Sequence, residues 1–327
     1  MNNKNKEFEI EKINNAFFYI KRKEFNKAED ILKDLIKKKT TNFEVYANLA
    51  RILGLQNKKK EMIKAYEQAI KLNYNFPEAY SNIGNTFFEK KEYKKAIYYY
   101  RQAVKLNPNQ AEPFYNYGNA LMEVEDFKKA VSCYEKAIKI NSKFYLAYNN
   151  LANVYANQGN LIKSIEYFKR TLIINNKHHS ARHNLGMIQL LCGDYKEGLV
   201  NFEFRHNALT GNLPHAKPNI KRWNGEKIKK GEKLLVISEQ GLGDTIQFMR
   251  FIPKLRQENI NVIFSAQKKL HNLIQFSGID LNPLNKDEAN KISEGKWIPL
   301  LSLLKYFKVN TKNPIYDGPY LKINKVM

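Results

Sequence analysis

The sequence predicts an α-helical repeat array followed by a small α/β module with a parallel sheet. Three observations support this. Residues 9 to about 205 carry a 34-residue period. Residues 206–231 lack periodicity and contain several Gly and Pro residues, as expected of a linker. Residues 232–327 alternate short apolar runs with amphipathic stretches, the pattern of strands and helices in a parallel sheet. Residues 1–8 read as a polar tail.

The composition limits the class of protein. A chain of 327 residues that is 43% apolar suits two packed domains. Its apolar runs are far shorter than the ~18 residues of a membrane span, and its polar N-terminus does not resemble a signal peptide. The two cysteines, Cys133 and Cys192, fall in different repeats. We therefore expect a reduced, cytoplasmic protein without a membrane span.

The positive charge is spread along the chain and is carried mostly by Lys. The 55 basic and 32 acidic residues give a net charge of +23. Proteins that read nucleic acid usually cluster their basic residues and use Arg for bidentate contacts. A solvated Lys-rich surface is therefore favoured over nucleic-acid binding. Attraction to acidic partners or anionic lipid is the alternative, and would show as binding that weakens steeply with salt.

The repeat is defined by a small residue at its eighth place and a large apolar residue at its twenty-fourth. The six frames start at Glu9, Phe43, Pro77, Ala111, Tyr145 and His179. The small residues are Ala16, Ala50, Gly84, Gly118, Ala152 and Gly186, and the large ones are Leu32, Tyr66, Tyr100, Tyr134, Phe168 and Phe202. Small residues let two helices approach, and the large side chain fills the space beside them. The spacing predicts two helices per repeat, with a turn near places 15 and 16.

This pattern is identified as the tetratricopeptide repeat. The resemblance covers about 60% of the chain and implies a right-handed superhelix with a concave groove. The first helix of each repeat would line that groove.

A column of asparagines is the most regular polar feature of the array. Places six and nine lie three residues apart and share one face of the first helix. Beyond Asn14, they hold Asn48, Asn82, Asn85, Asn116, Asn119, Asn150, Asn153 and Asn184. Carboxamides both donate and accept hydrogen bonds, so this column could hold the backbone of an extended peptide. It resembles the asparagine ladder of O-linked N-acetylglucosamine transferases. The alternative is that these residues cap or bridge neighbouring helices.

The histidine cluster does not predict a metal site. His179 and His183 lie four residues apart, a spacing that suits a metal on a helix face. No acidic or Cys ligand follows at a fitting distance, and the cluster, which includes His178, straddles a repeat turn. We expect ordinary packing there, and predict neither a metal nor a cofactor.

Three residues near the linker are predicted to join the array to the module. Arg205 stands at a repeat place that otherwise takes a small or apolar residue. It could pair with Glu203 or with the following domain. Trp223 is expected to seal the junction.

The α/β module begins with a strand, a Gly-containing turn and a helix. Strands are predicted at 233–237, 261–264 and 297–300, and helices at 245–256, 270–276 and 301–307. The turn after the first strand would lie at the ligand-binding edge of the sheet. Its predicted ligand-binding residues are Glu239, Gln240, Gly241, Gly243 and Thr245. The two glycines permit tight or left-handed backbone and a close ligand approach. Asp244 could either cap the helix or face the cleft as a general base.

Four segments together resemble bacterial tetratricopeptide-repeat proteins fused to a GT-B glycosyltransferase-like domain, itself similar to lipopolysaccharide heptosyltransferases. They are Gly193-Asp-Tyr-Lys-Glu-Gly198, Phe202-Glu-Phe-Arg205, Arg222-Trp-Asn-Gly225 and Glu239-Gln-Gly-Leu-Gly-Asp-Thr-Ile-Gln-Phe248. The resemblance implies a Rossmann-like N-terminal half of a GT-B fold, with Asp244 as candidate base. It also implies glycosyl transfer from a nucleotide sugar, whose diphosphate would meet the backbone N–H groups of the turn.

The resemblance leaves two functions open. No segment up to residue 327 resembles the half that binds the nucleotide sugar. We therefore expect no transferase activity from the chain alone. On the first reading the groove binds a polypeptide or protein partner, and the module is the acceptor-side half of a glycosyltransferase. On the second, the chain is a non-catalytic interaction scaffold whose module only caps the array.

Overall fold

The computed structural model describes residues 3–206, 214–239, 241–314 and 318–322. The chain divides into two structural units, Met1–Gln158 and Gly159–Met327. The predicted Gln240 lies outside the described residues. Within the described part, no helix combines the length and the apolar character that crossing a membrane requires.

The described part of the first unit is built from helices that pack as consecutive pairs. Their bounds are α1 (Asn3–Lys21), α2 (Phe25–Lys37), α3 (Phe43–Leu55), α4 (Lys59–Leu72), α5 (Pro77–Glu89), α6 (Tyr93–Leu106), α7 (Ala111–Met122), α8 (Phe127–Ile140) and α9 (Tyr145–Asn157). The closest pairs are α1 with α2, α3 with α4, α5 with α6, and α7 with α8. The prediction of two helices per repeat is confirmed.

The turn inside each repeat contains one residue with left-handed backbone at place 15. Glycine takes this conformation without steric cost, and it does so at Gly159 and Gly193. The earlier repeats hold non-glycine residues there, at φ near +60°: Lys23, Asn57, Lys91 and Glu125. The next residue often caps the second helix, as Asp126 does by accepting a hydrogen bond from the Lys129 N–H at 3.3 Å.

The pairing of small and large residues explains how closely the two helices of a repeat approach. A Cβ atom on Gly84 would lie 2.8 Å from the Tyr100 ring, and one on Gly118 would lie 2.6 Å from the Tyr134 ring. Both tyrosines are almost completely buried. The predicted packing of aromatic side chains against small residues is therefore confirmed.

The second unit joins three repeat helices to a four-stranded sheet. Its helices are α10 (Leu161–Ile174), α11 (His179–Leu191), α12 (Tyr195–Phe202), α13 (Leu242–Phe248), α14 (Phe251–Gln257), α15 (His271–Phe276), α16 (Lys286–Asn290) and α17 (Leu303–Tyr306). Its strands are β1 (Lys221–Arg222), β2 (Lys233–Ile237), β3 (Asn261–Ser265) and β4 (Lys296–Pro299). The strands are parallel and lie in the order β1-β4-β2-β3. The α/β class with a parallel sheet is confirmed.

The strand order places a switch point between β2 and β4. The chain runs from β2 to β3 on one side and then returns past β2 to β4 on the other. In open parallel sheets, the crevice at the carboxyl ends of two such strands is the usual ligand site. Here it is bounded by the residues that follow Ile237 and Pro299.

Both faces of β2 are buried, as expected of a central parallel strand. Leu234 and Val236 pack on one side with Trp223 and the residues of α14, and Leu235 and Ile237 on the other. The near-continuous apolar run of this strand is therefore explained by burial on two sides.

The structure corrects three details of the predicted linker and module. The helix predicted at 245–256 is two short helices, α13 and α14, because Pro253 lacks an N–H and its ring clashes with the carbonyl four residues earlier. The predicted linker contains β1, whose two residues are too short to produce a periodic signal. The helix predicted at 301–307 is a 3-10 turn, Leu300–Ser302, followed by α17. The division at 9–205, 206–231 and 232–327 remains a prediction.

Candidate functional site

Carboxamides of the asparagine column hydrogen-bond from one repeat to the next. The Nδ2 atom of Asn116 donates to Oδ1 of Asn85 at 3.2 Å, which links α7 to α5. The Nδ2 atom of Asn150 donates to Oδ1 of Asn119 at 2.8 Å, which links α9 to α7. The bridging role, one of the two alternatives for this column, is therefore present in the structure.

Each bridge also includes the large residue of the same repeat. The hydroxyl of Tyr100 donates to Oδ1 of Asn85 at 2.7 Å, and the hydroxyl of Tyr134 donates to Oδ1 of Asn119 at 2.8 Å. Burial raises the pKa of both phenols, so both remain protonated donors at neutral pH. Each place-nine amide oxygen thus accepts two hydrogen bonds, which fix the orientation of the carboxamide. Sequence spacing predicted the shared face of the asparagines but not this tyrosine contact.

The bridges leave an alternating set of polar groups without a partner. Among the described residues, Oδ1 of Asn82 and Asn116 accepts no hydrogen bond, and the Nδ2 groups of Asn85 and Asn119 donate none. Asn82, Asn85 and Asn116 line a cavity of about 470 Å³ between α5 and α7. We call this cavity the amide groove. Its other lining residues are Glu78, Ser81, Gln110, Ala111, Glu112 and Pro113.

The remaining predicted asparagines differ from this set. Asn48 is 4% exposed, and its Oδ1 accepts from Nη1 of Arg51 at 3.5 Å, so little of it can reach a ligand. Asn150 also donates to the Tyr115 hydroxyl and accepts from Asn149. Asn153 and Asn184 are half-buried on α9 and α11. Whether the column binds peptide stays a prediction.

The turn after β2 does not use left-handed backbone at either glycine. Gly241 has φ −78° and ψ 126°, and it precedes the first residue of α13. A Cβ atom there would lie 2.5 Å from Oδ2 of Asp244, so a larger residue would require this exposed side chain to move. A Cβ atom added to Gly243 would have no neighbouring atom within 4 Å. Asp244 is exposed, and none of the described side chains caps α13.

Thr245 uses its polar groups inside the turn. Its hydroxyl contacts the carbonyl of Gly241 and Oε1 of Gln267, each at 3.0 Å, and its backbone N–H donates to the Gly241 carbonyl. Gln267 in turn donates to the carbonyl of Glu239. The side chain is buried, so this residue holds the turn closed.

Arg205 fills the crevice at the switch point of the sheet. Its Nε and Nη2 atoms lie 2.8 and 3.1 Å from the two carboxylate oxygens of Glu239, in a bidentate pair. Nη2 also donates to Oγ of Ser302 at 3.1 Å, beyond the end of β4. The Leu301 N–H donates to Glu239 at 3.0 Å. Glu239, predicted to bind a ligand, is therefore engaged by the residue that ends the last repeat.

A second carboxylate completes this buried cluster. Glu203 accepts from Nη1 of Arg205 at 2.9 Å, from Arg222 at 2.7 Å and from Ser302 at 3.0 Å. Burial by itself would raise the pKa of Glu203, but the charges and hydrogen bonds of these neighbours outweigh it, and the pKa lies below its ordinary value. Arg205 thus pairs both with Glu203 and with the sheet, the two partners that the sequence left open. We call Glu203, Arg205, Arg222, Glu239 and Ser302 the arginine cluster.

Trp223 lies in the core of the sheet beside the arginine cluster. Its indole N–H donates to the Glu226 carbonyl at 2.7 Å, its ring packs on Tyr306 at 4.5 Å, and Phe202 packs against the same core. The predicted role of this residue in the junction agrees with these contacts.

A cleft of about 440 Å³ opens at the arginine cluster and is lined in part by it. Its polar groups come from Asp244, Gln247 and His183 and from two members of the arginine cluster, Arg205 and Glu239. The remaining lining residues are Gly241 and the apolar Met187, Leu190, Phe202, Phe248, Leu301 and Leu304. Burial, together with the charge of Arg205, lowers the pKa of His183. A ligand held in this cleft would contact Asp244.

The histidines take packing and capping positions. His178 Nδ1 accepts from the Ala181 N–H at 3.0 Å and so caps α11. His179 stacks on Phe204, and His183 packs on Phe202. No group of three or more His, Cys, Asp or Glu side chains within the described ranges is arranged to hold a metal.

Comparisons with known proteins identify the repeats. Family models described as tetratricopeptide repeat match residues 77–110 and 146–185, and one described as TPR repeat matches 51–91 and 118–159. No curated protein matches the chain in sequence.

Solved structures show the same fold for the repeats. PilF of Pseudomonas aeruginosa is 15% identical, with TM-score 0.52 over 61% of this chain and 91% of PilF. A tetratricopeptide repeat protein from Parabacteroides merdae is 20% identical, with TM-score 0.51 over 60% of this chain and 77% of that one. The C-terminal part of a TPR repeat-containing protein from Cytophaga hutchinsonii is 17% identical, with TM-score 0.52 over 59% of this chain and 78% of that one. The chain therefore contains tetratricopeptide repeats, matched over residues 51–110 and 118–185.

Proposed function

We propose that this chain is a protein-interaction protein whose amide groove binds an extended polypeptide segment. The observation that carries the proposal is the set of open amide groups on α5 and α7. Each residue of an extended chain presents one N–H and one C=O. The free amide oxygens of Asn82 and Asn116 can accept from such N–H groups, and the free Nδ2 group of Asn85 can donate to the carbonyls.

The buried tyrosines make the groove rigid before a ligand arrives. Tyr100 and Asn116 both donate to Asn85, so the carboxamide cannot rotate without losing two hydrogen bonds. Groups held in their binding orientation cost less conformational entropy when a ligand is bound. Backbone contacts of this kind would favour extended segments with few restrictions on side chains.

The module after the repeats would serve as a cap. A terminal repeat exposes an apolar face that has to be covered. In the second unit, α12 contacts α17, and the arginine cluster joins the end of the last repeat to the ends of β2 and β4. This supports the reading of a non-catalytic scaffold.

Glycosyl transfer is the second candidate. It rests on the resemblance of the 193–248 segments, and the exposed Asp244 at the 440 Å³ cleft favours it. Two observations oppose it: Arg205 and Glu239, which line the same cleft, are already paired with each other, and none of the matches above describes a glycosyltransferase. Calorimetry with a panel of UDP-, GDP- and ADP-sugars tests it. We expect no binding heat. Transfer activity that disappears in Asp244→Asn would overturn the scaffold reading.

Peptide binding is tested by selecting a random twelve-residue display library on the full chain. Affinities of selected peptides are then measured by fluorescence anisotropy for wild type and for the triple variant Asn82→Ala/Asn85→Ala/Asn116→Ala. Each lost hydrogen bond contributes ~0.5–1.5 kcal/mol, so we expect the triple variant to bind at least about tenfold more weakly.

A core variant separates binding from stability, because the triple variant also loses inter-repeat hydrogen bonds. Ile52→Val/Ile83→Val removes two fully buried methyl groups away from the groove, and each costs ~0.5–1.5 kcal/mol of stability. We expect this control to bind like wild type. If the control loses as much affinity as the triple variant, or the triple variant loses none, the amide groove is not the binding site.

A further inference from the structure

Three consecutive first helices of the repeats differ in charge from the rest of the chain. The helices α5, α7 and α9 contain no Lys or Arg. At the chain's overall frequency of basic residues, about six would be expected in helices of this combined length. The second helices are the opposite, since α6 and α8 each carry four basic residues. Positive charge is therefore absent from the helices that form the amide groove.

Acidic residues mark the same groove. Glu78 and Glu112 line the cavity, both are exposed, and neither forms an ion pair with a described residue. They occupy the second place of consecutive repeats, and Glu44 occupies that place in the preceding one. Arg51 lies near this face, but it donates to Asn48 and is not part of the cavity wall.

These glutamates also stabilise their own helices, because an acidic residue near a helix N-terminus interacts favourably with the helix dipole. The helices α6 and α8 obtain the same interaction from their N-cap residues, Glu92 and Asp126. What distinguishes Glu78 and Glu112 is that they line the cavity.

On the basis of the proposed peptide-binding function, we infer that the amide groove selects extended segments rich in Lys and Arg. The amides would hold the backbone, and Glu78 and Glu112 would pair with cationic side chains. Neighbouring helices pack roughly 10 Å apart, and an extended chain rises ~3.3 Å per residue. Side chains of an extended chain alternate between its two faces, so the two glutamates suit cations two or four residues apart.

The library selection on the full chain tests this inference directly. We expect the peptides enriched on wild type to contain an excess of Lys and Arg. Each exposed ion pair contributes ~0.2–1 kcal/mol, so Glu78→Gln/Glu112→Gln should weaken their binding about twofold to thirtyfold and reduce its salt dependence. The matched control Glu135→Gln/Glu166→Gln removes two exposed charges from second helices and should change affinity less than about twofold.

The outcomes distinguish the selection for basic segments from peptide binding itself. Enriched peptides without a cationic excess, or equal affinities for the two glutamine double variants, would refute the selection for basic segments. Peptide binding itself would still stand if it depended on Asn82, Asn85 and Asn116. Enriched peptides that bind the triple asparagine variant as well as wild type would refute both.

Discussion

Replacing Arg205 by Met tests how the sheet is held to the last repeat. Arg205 is 3% exposed, and its guanidinium forms a bidentate pair with Glu239 and further bonds to Glu203 and Ser302. Met keeps the length and apolar stem of the side chain but removes every one of these bonds. The change therefore isolates the charged group from the packing of the stem.

The expected loss of stability follows from what remains buried. Glu239 is 8% exposed, and without Arg205 it keeps the Leu301 N–H and a contact with His206 at 3.4 Å. Removing one partner of a buried ion pair typically costs ~3–5 kcal/mol, because the other charge stays buried. Adding Glu239→Gln removes that charge, so the double variant should be less destabilised than the sum of the two single changes.

Tryptophan fluorescence reports the unfolding of the second structural unit, Gly159–Met327, alone. Of the chain's two tryptophans, Trp297 lies in β4 and Trp223 directly follows β1. With urea dependences of ~1–3 kcal/mol per M, Arg205→Met should lower the midpoint of the fluorescence transition by roughly 1–3 M. The exposed Arg170→Met in α10 serves as the matched control, and we expect it to change stability by less than ~0.5 kcal/mol.

A small shift would refute the reasoning. If Arg205→Met lowers the midpoint by less than about 0.5 M, equivalent to roughly 1 kcal/mol, the arginine cluster does not hold the sheet to the repeat. Additivity of Arg205→Met and Glu239→Gln would likewise show that the two side chains do not interact energetically.

Three further predictions concern single sites. Gly118→Ala places a methyl group 2.6 Å from the Tyr134 ring and should cost ~1–3 kcal/mol in thermal unfolding followed by circular dichroism; an unchanged midpoint would contradict this. A thiol reagent should add once to the native chain, at the exposed Cys192, because Cys133 is buried and burial raises its pKa to about 12; two native adducts in the mass spectrum would contradict this. Burial alone would raise the pKa of Glu29, but hydrogen bonds from two lysines bring it from 4.5 to about 2, so its stabilising effect is present above pH 4.5 and is lost as the pH falls toward 2. Glu29→Gln should therefore destabilise the fold at pH 7 but not near pH 2, and urea midpoints that drop equally at both would disprove it.

The repeats could be predicted from sequence because their interactions are local. The small residue at place eight and the aromatic residue at place 24 belong to one helical pair, so the contact between Gly118 and Tyr134 recurs at a fixed spacing. The strands β2 and β3 were also predictable, since each is a continuous apolar run. By contrast, β1 contributes two residues to the sheet and leaves no periodic signal.

The candidate sites were predictable only in part. Spacing placed the asparagines on one face, but it could not show that Asn85 is held by Tyr100 and Asn116 while its Nδ2 group stays open. The turn after β2 looked like a ligand site, yet Thr245 uses its hydrogen-bonding groups within that turn. Short-range pattern indicates which residue types are present, whereas the use of each polar atom depends on neighbours from other elements.

The sequence by itself determined the helical repeats, the parallel sheet and the polar face of the first helices, because hydrophobic periodicity and small residues act over one or two turns. Only the tertiary structure decided what the unusual Arg205 does. The sequence marked it as an anomaly in its repeat, but its partners Glu239 and Ser302 lie 34 and 97 residues away. A buried guanidinium needs several oriented acceptors at once, and only the folded sheet brings them into one crevice.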